Sequence, residues 1–283
     1  MKKLSLVILT YNSETDIFEC LDSIYEHNDL GDALEIIVID NNSAHQKDLQ
    51  MVLSKKYPDV VFYGNTDNRG YGAGNNIGIR MAQSDYILIM NPDVRMRRLS
   101  FKKIVDCYDK DSTLGIMGFT QYESLQQERD SLLLVRPSFT SFVLMKLYQK
   151  LNLYSSRLFC FSGACFSMRR QAFESVGFFN ENNFLYGEER YLQLQMLRGG
   201  KYQGKFCADM SFIHPLDNRP HNSKIDKLSI ESYIQTLQLM DMNVKQGLRG
   251  MLNYNRFFLI KNFIKGRDTL PYKKKISLIK EYL

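Results

Sequence analysis

The sequence predicts an α/β fold in which helices cover both faces of a mainly parallel central sheet, followed by a helical C-terminal extension. Three observations support this prediction. Four apolar segments alternate with helical patterns in roughly the first 110 residues, these segments are apolar throughout, and polar residues follow three of them. Strands of a parallel sheet are apolar on both faces because helices cover them. Ligands of such sheets bind beyond the carboxyl ends of the strands, so the polar strand ends should border one crevice.

The predicted elements follow one another as strand, then helix. The strands are LSLVILT at 4–10, LEIIVID at 34–40, VVFYG at 60–64 and DYILIM at 85–90. The helices that follow them run through Ile17, Leu21 and Ile24, and then near 45–56, 72–83 and 99–109. Further strands are predicted at 114–119 and around Gly163 within 158–170, and further helices from Arg170 towards 176 and through Leu192 and Met196. The segment 121–157 shows no pattern that predicts a structure.

The polar strand ends raise the question of a binding site. They are Thr10 to Asn12, Asp40 to Ser43, and Asn91-Pro92-Asp93. A purely structural interpretation of the last one is that Pro92 ends the strand and Asp93 caps the next helix. The glycine-rich run 67–79 has two interpretations. Its backbone could approach an anion closely and bind it through free N–H groups at the start of a helix, or the glycines could serve only the helix start and tight packing. A nicotinamide cofactor is disfavoured, because its glycine loop follows the first strand.

Length and composition are those of an ordinary globular chain. Its 283 residues, 44% hydrophobic and 24% charged, can form one large domain or two smaller ones. No apolar run approaches the roughly 20 residues of a spanning helix, and the N-terminus lacks a cleavage site, so we expect a cytoplasmic protein. Five cysteines without CxxC spacing indicate reduced thiols rather than disulfides or a zinc site.

Positive charge is concentrated near the C-terminus. The net charge is +6, and residues 219–283 contain 13 Lys or Arg against 5 Asp or Glu. Such a tail suits nucleic acid, anionic lipid or a phosphorylated substrate, or it forms a solvated helical face. An amphipathic helix is predicted at 225–247. The aromatic and lysine-rich stretches beyond it fit an anionic membrane interface, packing on the body of the protein, or a second subunit.

Seven segments in register resemble one enzyme family. They are VILTYNS, VIDNNS, DNRGYGAGNNIGI, LIMNPDV, FSGACFSMRR, VGFFNE and FLYGEER. Over about residues 4–214 the chain resembles the family 2 glycosyltransferases of the GT-A fold, which are nucleotide-diphospho-sugar transferases. It is most similar to the bacterial rhamnosyltransferase-like branch that builds surface polysaccharides. The resemblance implies a catalytic domain at 1–220, with the nucleotide sugar on 1–95 and the acceptor on 96–220, and a basic helical extension at 221–283.

The resemblance also implies the reaction. An inverting, metal-dependent transfer would move a sugar from a dTDP- or UDP-linked donor to a hydroxyl of a growing, lipid-linked surface glycan. The partners would be the donor and the acceptor. The tail would contact the inner face of the plasma membrane peripherally, and a homodimer is a further option. No nucleic acid is expected to bind. One rival interpretation is a sugar-nucleotide or glycan-binding protein with altered catalysis. Another is a nucleotidyltransferase, which should show a basic glycine-rich loop after the first strand.

By the same matching, Asn91-Pro92-Asp93 stands where relatives carry the DxD motif that holds a divalent cation against the donor diphosphate. Asp93 would be the principal protein ligand of Mg²⁺ or Mn²⁺, and the amide oxygen of Asn91 could order a metal-bound water. His214 matches a histidine that in relatives lies near the metal and the diphosphate. A lone histidine is more often structural, but its place in this series of motifs favours the functional interpretation.

The remaining implied donor contacts come from the strand ends and the glycine run. Thr10, Tyr11 and Asn12 would line the base and ribose, with a core aromatic as the alternative for Tyr11. Asp40 would hydrogen-bond the base. The other positions are Asn68, Gly70 and Asn75 beneath the nucleotide, and Arg219, with His221 and Lys224, in a loop that closes over the diphosphate.

Glu188 and Glu189 fall where the family carries the Glu-Asp motif whose second member is the general base. An inverting transfer needs one group that takes the proton of the acceptor hydroxyl. Glu189 is the predicted base, and Glu188 is the next choice. The alternative is that both merely favour the start of a helix. The chain departs from its relatives at Arg190 and Tyr191, because the usual continuation is an aliphatic residue followed by Asp.

Overall fold

The computed structural model describes residues 1–151, 153–215 and 222–283, so the predicted loop residues Arg219 and His221 lie outside the described residues. The strands are β1 Leu4–Thr10, β2 Leu34–Asp40, β3 Val61–Gly64, β4 Tyr86–Met90, β5 Arg95–Met96, β6 Leu114–Tyr122, β7 Leu132–Leu134, β8 Phe159–Phe161, β9 Cys165–Arg169 and β10 Gln203–Ile213. The helices are α1 Glu14–His27, α2 Gln46–Lys56, α3 Tyr71–Met81, α4 Phe101–Lys110, α5 Phe139–Lys150, α6 Arg170–Ser175, α7 Glu188–Arg198, α8 Ser223–Leu239, α9 Val244–Ile264 and α10 Leu270–Glu281. The four predicted N-terminal strands are confirmed to within one residue.

The central sheet has eight strands in the order β3-β2-β1-β4-β9-β6-β10-β5. The pairs β1–β2, β2–β3, β1–β4 and β6–β10 are parallel. The strands β9 and β5 run against their neighbours. The carboxyl ends of β1, β4, β6 and β10 therefore lie at one edge of the sheet, next to the residues that lead into β9.

Side chains alternate between two cores because strand residues point to opposite faces. On β1, Leu6 and Ile8 pack with α1 and α4 on one face, whereas Val7 packs with α3 and α6 on the other. This arrangement explains why β1 and β2 are apolar throughout. A third, smaller core joins α8, α9 and α10.

Two regions differ from the predictions. The segment 121–157, which gave no readable pattern, contains β7, which pairs with β8, and helix α5. The single helix predicted at 225–247 is wrong, because α8 ends at Leu239 and α9 begins at Val244. Asp241 adopts a positive φ of 51°, and the Asn243 side chain caps α9 by accepting from Gln246 N at 2.8 Å. These turn and cap signals outweigh the apolar periodicity.

Two simpler expectations concern the cysteines and the membrane. All five cysteines are free thiols, and four of them are buried. Within the described ranges, no helix combines the length and the apolar character that crossing a bilayer requires.

Candidate active site

A cavity of about 410 Å³ opens at the sheet edge where β1 and β4 end. Six of the residues predicted to bind donor or metal line it: Thr10, Tyr11, Asn68, Gly70, Asn91 and Asp93. They come from three separate segments of the chain. The sheet topology therefore brings together residues that the sequence places up to about 80 positions apart.

The turn after β4 directs Asp93 into the cavity. Asn91 N donates to Ala164 O at 2.9 Å, and Val94 N donates to Asn91 O at 3.2 Å, which makes a tight turn around Pro92. Asp93 does not cap the next helix. Ser100 caps α4 instead, because its Oγ accepts from Lys103 N at 3.1 Å. The purely structural interpretation of Asp93 is therefore wrong.

His214 follows β10 and meets Asp93 from the other side. The His214 N–H donates to Tyr122 O at 2.8 Å, and His214 Nε2 lies 3.2 Å from Asp93 Oδ2. Gln121 Nε2 lies 3.2 Å from His214 Nδ1 and fixes the plane of the ring. No local sequence pattern indicates a role for Gln121. Its position follows only from the parallel pairing of β6 with β10.

The Asp93 and His214 pair has the chemistry of a divalent-metal site. One carboxylate oxygen and one imidazole nitrogen converge, and their side chains are 17% and 22% exposed. These ligand types suit Mn²⁺ and, for the oxygen, Mg²⁺. The described part of the chain has no cluster of three or more His, Cys, Asp or Glu side chains around a metal position. Two protein ligands leave positions for diphosphate oxygens and water, so the residues fit a metal held jointly with a substrate.

The end of β1 forms the side of the cavity that is expected to hold the base. Tyr11 is 50% exposed at the cavity wall, so the alternative of a core aromatic is wrong. Thr10 is buried, and its Oγ1 has no hydrogen-bond partner among the described residues. Asn12 does not line the cavity. With φ at 48°, it joins two loops by donating from its N to Ser43 Oγ at 2.8 Å and accepting at Oδ1 from Ala44 N at 3.0 Å.

Asp40 is buried and holds the loop after β2. Its Oδ1 accepts from Ser43 N and from Gln46 Nε2, each at 2.8 Å, and its Oδ2 accepts from Ser43 Oγ at 2.6 Å. It is not among the residues that line the cavity. The structure thus gives Asp40 a role in shaping the loop, and its predicted hydrogen bond to the base stays a prediction.

The glycine run forms a tight turn and allows close helix packing, and its predicted contact with an anion stays a prediction. Gly70 has φ of +93°, and a Cβ there would lie 2.1 Å from Phe184 O, so the cavity floor requires glycine. Inside α3, a Cβ on Gly74 or Gly78 would lie 2.4 Å from Leu9 or Val7 of β1, so these glycines allow close helix packing.

Two asparagines of the run have different positions. Asn68 Oδ1 accepts from Gly70 N at 3.0 Å and from Asn41 Nδ2 at 2.7 Å, which holds the turn at the cavity wall. Asn75 is fully buried, donates from Nδ2 to Tyr71 O at 3.0 Å and does not line the cavity.

Glu188 and Glu189 begin α7, after two residues of positive φ, Tyr186 and Gly187. The Glu189 carboxyl lies 3.6 Å from where a Cβ on Gly163 would stand. Gly163 O accepts from Tyr71 OH at 2.8 Å, and Tyr71 lines the cavity. The next residue, Ala164, is hydrogen-bonded to the turn that carries Asp93. Glu189 is therefore separated from the cavity by little more than this glycine and Tyr71.

Burial raises the pKa of both carboxyl groups, and it raises the pKa of Glu188 to about 8, with the charge of Glu189 adding to the effect. The Arg190 guanidinium opposes the rise in the pKa of Glu189. Arg190 favours the charged form of Glu189, so of the two buried carboxyl groups Glu189 is the one that loses its proton more readily. Two carboxylates that served only the helix dipole would not need such burial, which disfavours the purely structural alternative.

The two residues that depart from the family pattern point away from the cavity. The Arg190 guanidinium lies 5.1 Å from the centre of the Tyr233 ring of α8. Tyr191 OH accepts from Gln195 Nε2 at 2.9 Å, and its ring lines a separate groove with Phe178. The missing acid at position 191 therefore leaves the cavity wall unchanged.

Lys224 was predicted to lie in a closing loop with Arg219 and His221. The structure places it in the first turn of α8, where Asn222 Oδ1 accepts from Lys224 N at 3.0 Å. Its predicted place in a flexible loop is wrong, because the Asn222 cap starts a helix there.

Comparison with known proteins agrees with this geometry. The family model described as "Glycosyl transferase family 2" matches residues 5–177. The chain belongs to glycosyl transferase family 2. The low-salt glycan biosynthesis hexosyltransferase Agl10 of Haloferax volcanii is 24% identical over 99% of this chain and 83% of its own length.

Two solved structures share the fold of this family 2 glycosyltransferase. One is the mannosyltransferase PcManGT of Pyrobaculum calidifontis in complex with GDP-Man and Mn²⁺, with a TM-score of 0.65 and 15% identity over 98% of this chain and 73% of that one. The other is GalNAc-T7 with UDP, GalNAc and Mn²⁺, with a TM-score of 0.64 and 15% identity over 84% of this chain and 48% of that one. The predicted GT-A fold is confirmed.

These findings also decide between the broad alternatives. The chain is a glycosyltransferase that acts in glycan biosynthesis, and the nucleotidyltransferase alternative is set aside. The more specific rhamnosyltransferase-like branch stays a prediction.

Proposed function

We propose that this family 2 glycosyltransferase is an inverting, divalent-metal-dependent enzyme that transfers a sugar from a UDP- or dTDP-linked donor to a hydroxyl of a growing, lipid-linked glycan. One observation carries the proposal. Asp93 and His214 lie 3.2 Å apart at the cavity, and Glu189 lies against Gly163 beside the same strand ends. A cation-binding pair and a base are the two groups that such a transfer requires.

Donor binding is assigned to the strand ends and to the glycine run. The exposed ring of Tyr11 is available to stack on a base, and Thr10 Oγ1 is available to a ribose or base hydrogen bond. Asn68 and Gly70 form the floor beneath the nucleotide. Asn12 and Asp40 hold the loop after β2, Asn75 is bonded to Tyr71 O, and the hydrogen bond from Asp40 to the base is kept as part of the proposal. Arg219, outside the described residues, keeps its predicted place over the diphosphate.

Asp93 and His214 would hold Mg²⁺ or Mn²⁺ at the donor diphosphate. A bound divalent ion neutralises the charge that develops on the departing nucleoside diphosphate. Gln121 contacts the His214 ring on the side away from Asp93, and Asn91 lines the same cavity. A side chain in contact with the other ring nitrogen limits the rotation of a histidine ligand.

Glu189 acts as the general base. Its carboxylate takes the proton of the acceptor hydroxyl while that oxygen forms a bond to the anomeric carbon. The bond between the anomeric carbon and the donor phosphate oxygen breaks, and the electron pair leaves with the nucleoside diphosphate. Attack comes from the face opposite the leaving group, so the configuration at the anomeric carbon inverts. Glu188 keeps its own proton and reduces the negative charge beside Glu189.

A binding protein with altered catalysis is the remaining alternative, and the sequence feature that favours it is Tyr191, which stands where relatives carry an acid. The direction of Tyr191, away from the cavity, removes that support. A donor panel tests the proposal. We expect the wild-type chain with Mn²⁺ to release nucleoside diphosphate from a UDP- or dTDP-sugar, and to stop doing so when EDTA is added. Binding without turnover in any condition would favour the binding protein instead.

A further inference from the structure

Helix α5 exposes an apolar stripe to solvent. Phe139, Val143 and Leu147, spaced four residues apart, are 47%, 49% and 49% exposed, and Leu144 and Leu151 beside them are 38% and 54% exposed. Residues at these intervals lie on one side of a helix. The opposite side holds the buried Met145. An amphipathic helix normally turns its apolar side inward, so an outward stripe of this length indicates a binding surface.

The distal half of α9 adds a second stripe. Ile260, Phe263 and Ile264 are 57%, 75% and 78% exposed. Aromatic contacts join the two helices. The rings of Phe139 and Phe257 lie 4.7 Å apart, and those of Phe142 and Phe258 lie 5.0 Å apart. The exposed residues of the two helices are called the apolar face below, and they are Phe139, Val143, Leu144, Leu147, Leu151, Ile260, Phe263 and Ile264.

Cations lie in the segments that carry and border the apolar face. Residues 244–283 contain ten Lys or Arg and two Asp or Glu. Lys261 lies 5.6 Å from the Phe142 ring at the contact of α5 with α9. Arg136 and Arg157 line a cavity together with Ser141 of α5. Exposed Phe, Leu and Ile next to Lys and Arg are the composition of surfaces that lie in the interface of anionic membranes.

A second copy of the chain is a poorer match for this surface. The cores of protein interfaces are depleted in lysine, and a symmetric dimer would bring two cationic surfaces together. Anionic headgroups neutralise those cations while the apolar side chains enter the bilayer. We propose that the apolar face docks the protein on an anionic lipid bilayer.

This surface is connected to the catalytic residues. Helix α5 packs on β7, and the neighbouring β8 holds α7 because Phe161 N donates to Gln193 Oε1 at 2.8 Å. Helix α7 begins with the carboxylates Glu188 and Glu189. Docking would therefore fix how the helix that carries the base is oriented towards an acceptor carried on a lipid. Only this last step rests on the proposed function, because docking is measured without donor or acceptor.

The experiment is vesicle co-sedimentation of the full chain with phosphatidylcholine vesicles, with and without phosphatidylglycerol. We expect binding only to the anionic vesicles, and weaker binding as salt is raised. The fourfold variant Val143→Ser/Leu147→Ser/Phe263→Ser/Ile264→Ser should bind the anionic vesicles at least about tenfold more weakly than wild type. The matched control is Met51→Ser/Val52→Ser on α2, whose side chains are 64% and 43% exposed, and it should bind within about twofold of wild type.

A fluorescence measurement keeps the test independent of the fourfold variant. The chain has no tryptophan, so Phe263→Trp introduces a single reporter. Its emission should shift to shorter wavelength with anionic vesicles, whereas that of Met51→Trp should not. Wild-type protein that sediments with neither vesicle, or an unshifted Phe263→Trp emission, overturns the proposal. A dimer in light scattering that the fourfold variant abolishes, without vesicle binding, assigns the apolar face to a second copy and also overturns it.

Discussion

At the scale of single residues, two adjacent carboxyl groups differ because of what surrounds them. Glu188 is 1% exposed and lies next to the negative charge of Glu189, whereas Glu189 has the opposing charge of Arg190 beside it. The sequence ranked Glu189 as the base by position in a motif. The structure supplies a physical reason, because a base must be ionised at the pH where the enzyme works.

Glutamine substitutions distinguish the catalytic roles of Glu188 and Glu189. Glu189→Gln removes the proton acceptor, so we expect the rate of nucleoside diphosphate release to fall by about a hundredfold or more. Glu188→Gln imitates the protonated form that the native environment favours, so we expect a rate within about threefold of wild type. Steady-state turnover with the same donor measures both. Equal losses in the two variants would contradict the assignment of proton and charge.

The raised pKa of Glu188 also affects stability. Its value is about 8 in the folded chain and near the ordinary 4.5 when unfolded, so between these values the native state holds a proton that the unfolded chain releases. The free energy of unfolding should therefore fall as pH rises through this window, by up to about 1.4 kcal/mol per pH unit. Melting temperatures from pH 5 to pH 8 should fall more steeply for wild type than for Glu188→Gln. Parallel curves would show that Glu188 titrates normally.

At the scale of elements, helix α8 of the C-terminal extension holds the start of α7. Ser232 Oγ donates to Tyr186 O and accepts from Asn183 Nδ2, and Asn183 Nδ2 also donates to Tyr186 O at 2.7 Å. A Cβ on Gly187 would lie 2.6 Å from Ser232 Oγ. The extension therefore fixes the backbone that leads into the two carboxylates.

Removing this support should change turnover more than donor binding. Ser232→Ala deletes hydrogen bonds whose net contribution is about 1 kcal/mol, so we expect kcat to fall about fivefold while the donor KM stays within about twofold. Ser229→Ala, three residues earlier on α8, is the matched control and should leave both constants unchanged. A rise in KM with an unchanged kcat would place the effect of Ser232 on the donor side instead.

The turn before α3 is the second element with a sharp test. Gly70→Ala would place an alanine at a φ of +93° with its Cβ against Phe184 O. We therefore expect the free energy of unfolding to fall by several kcal/mol, or the cavity floor to rearrange and nucleotide binding to weaken. Gly177→Ala has a comparable φ of +75° but open space around the Cβ, and it should lose only about 1 to 2 kcal/mol. Chemical denaturation measures both, and equal losses would show that the contact with Phe184 is unimportant.

Much of this layout was predictable from local sequence. The N-terminal strands were predictable because apolar segments buried on both faces leave a strong pattern, and the strand ends then located the cavity. The strand β9, which runs against its neighbours, and the position of Gln121 depend on long-range pairing that no local pattern records. Helix α5 was unreadable because its apolar residues lie on both its buried and its exposed sides.

At the scale of the whole molecule, the candidate site depends on the meeting of distant segments. Asp93 follows β4, His214 follows β10, and the strands β9 and β6 separate them in the sheet. Glu189 begins a helix on one side of that sheet and is held there by the C-terminal extension. Asp93 and His214 should therefore serve the donor, whereas Glu189 should serve only the chemistry.

The most direct test is a calorimetric titration of UDP and dTDP into the chain in the presence of Mn²⁺. We expect wild type and Glu189→Gln to bind one of the two nucleotides with the same affinity, and Asp93→Asn to bind it at least about tenfold more weakly. Removing Mn²⁺ should reduce the wild-type affinity to that of Asp93→Asn. Full affinity in Asp93→Asn, or an equal loss in Glu189→Gln, would contradict the division of roles between Asp93 and Glu189.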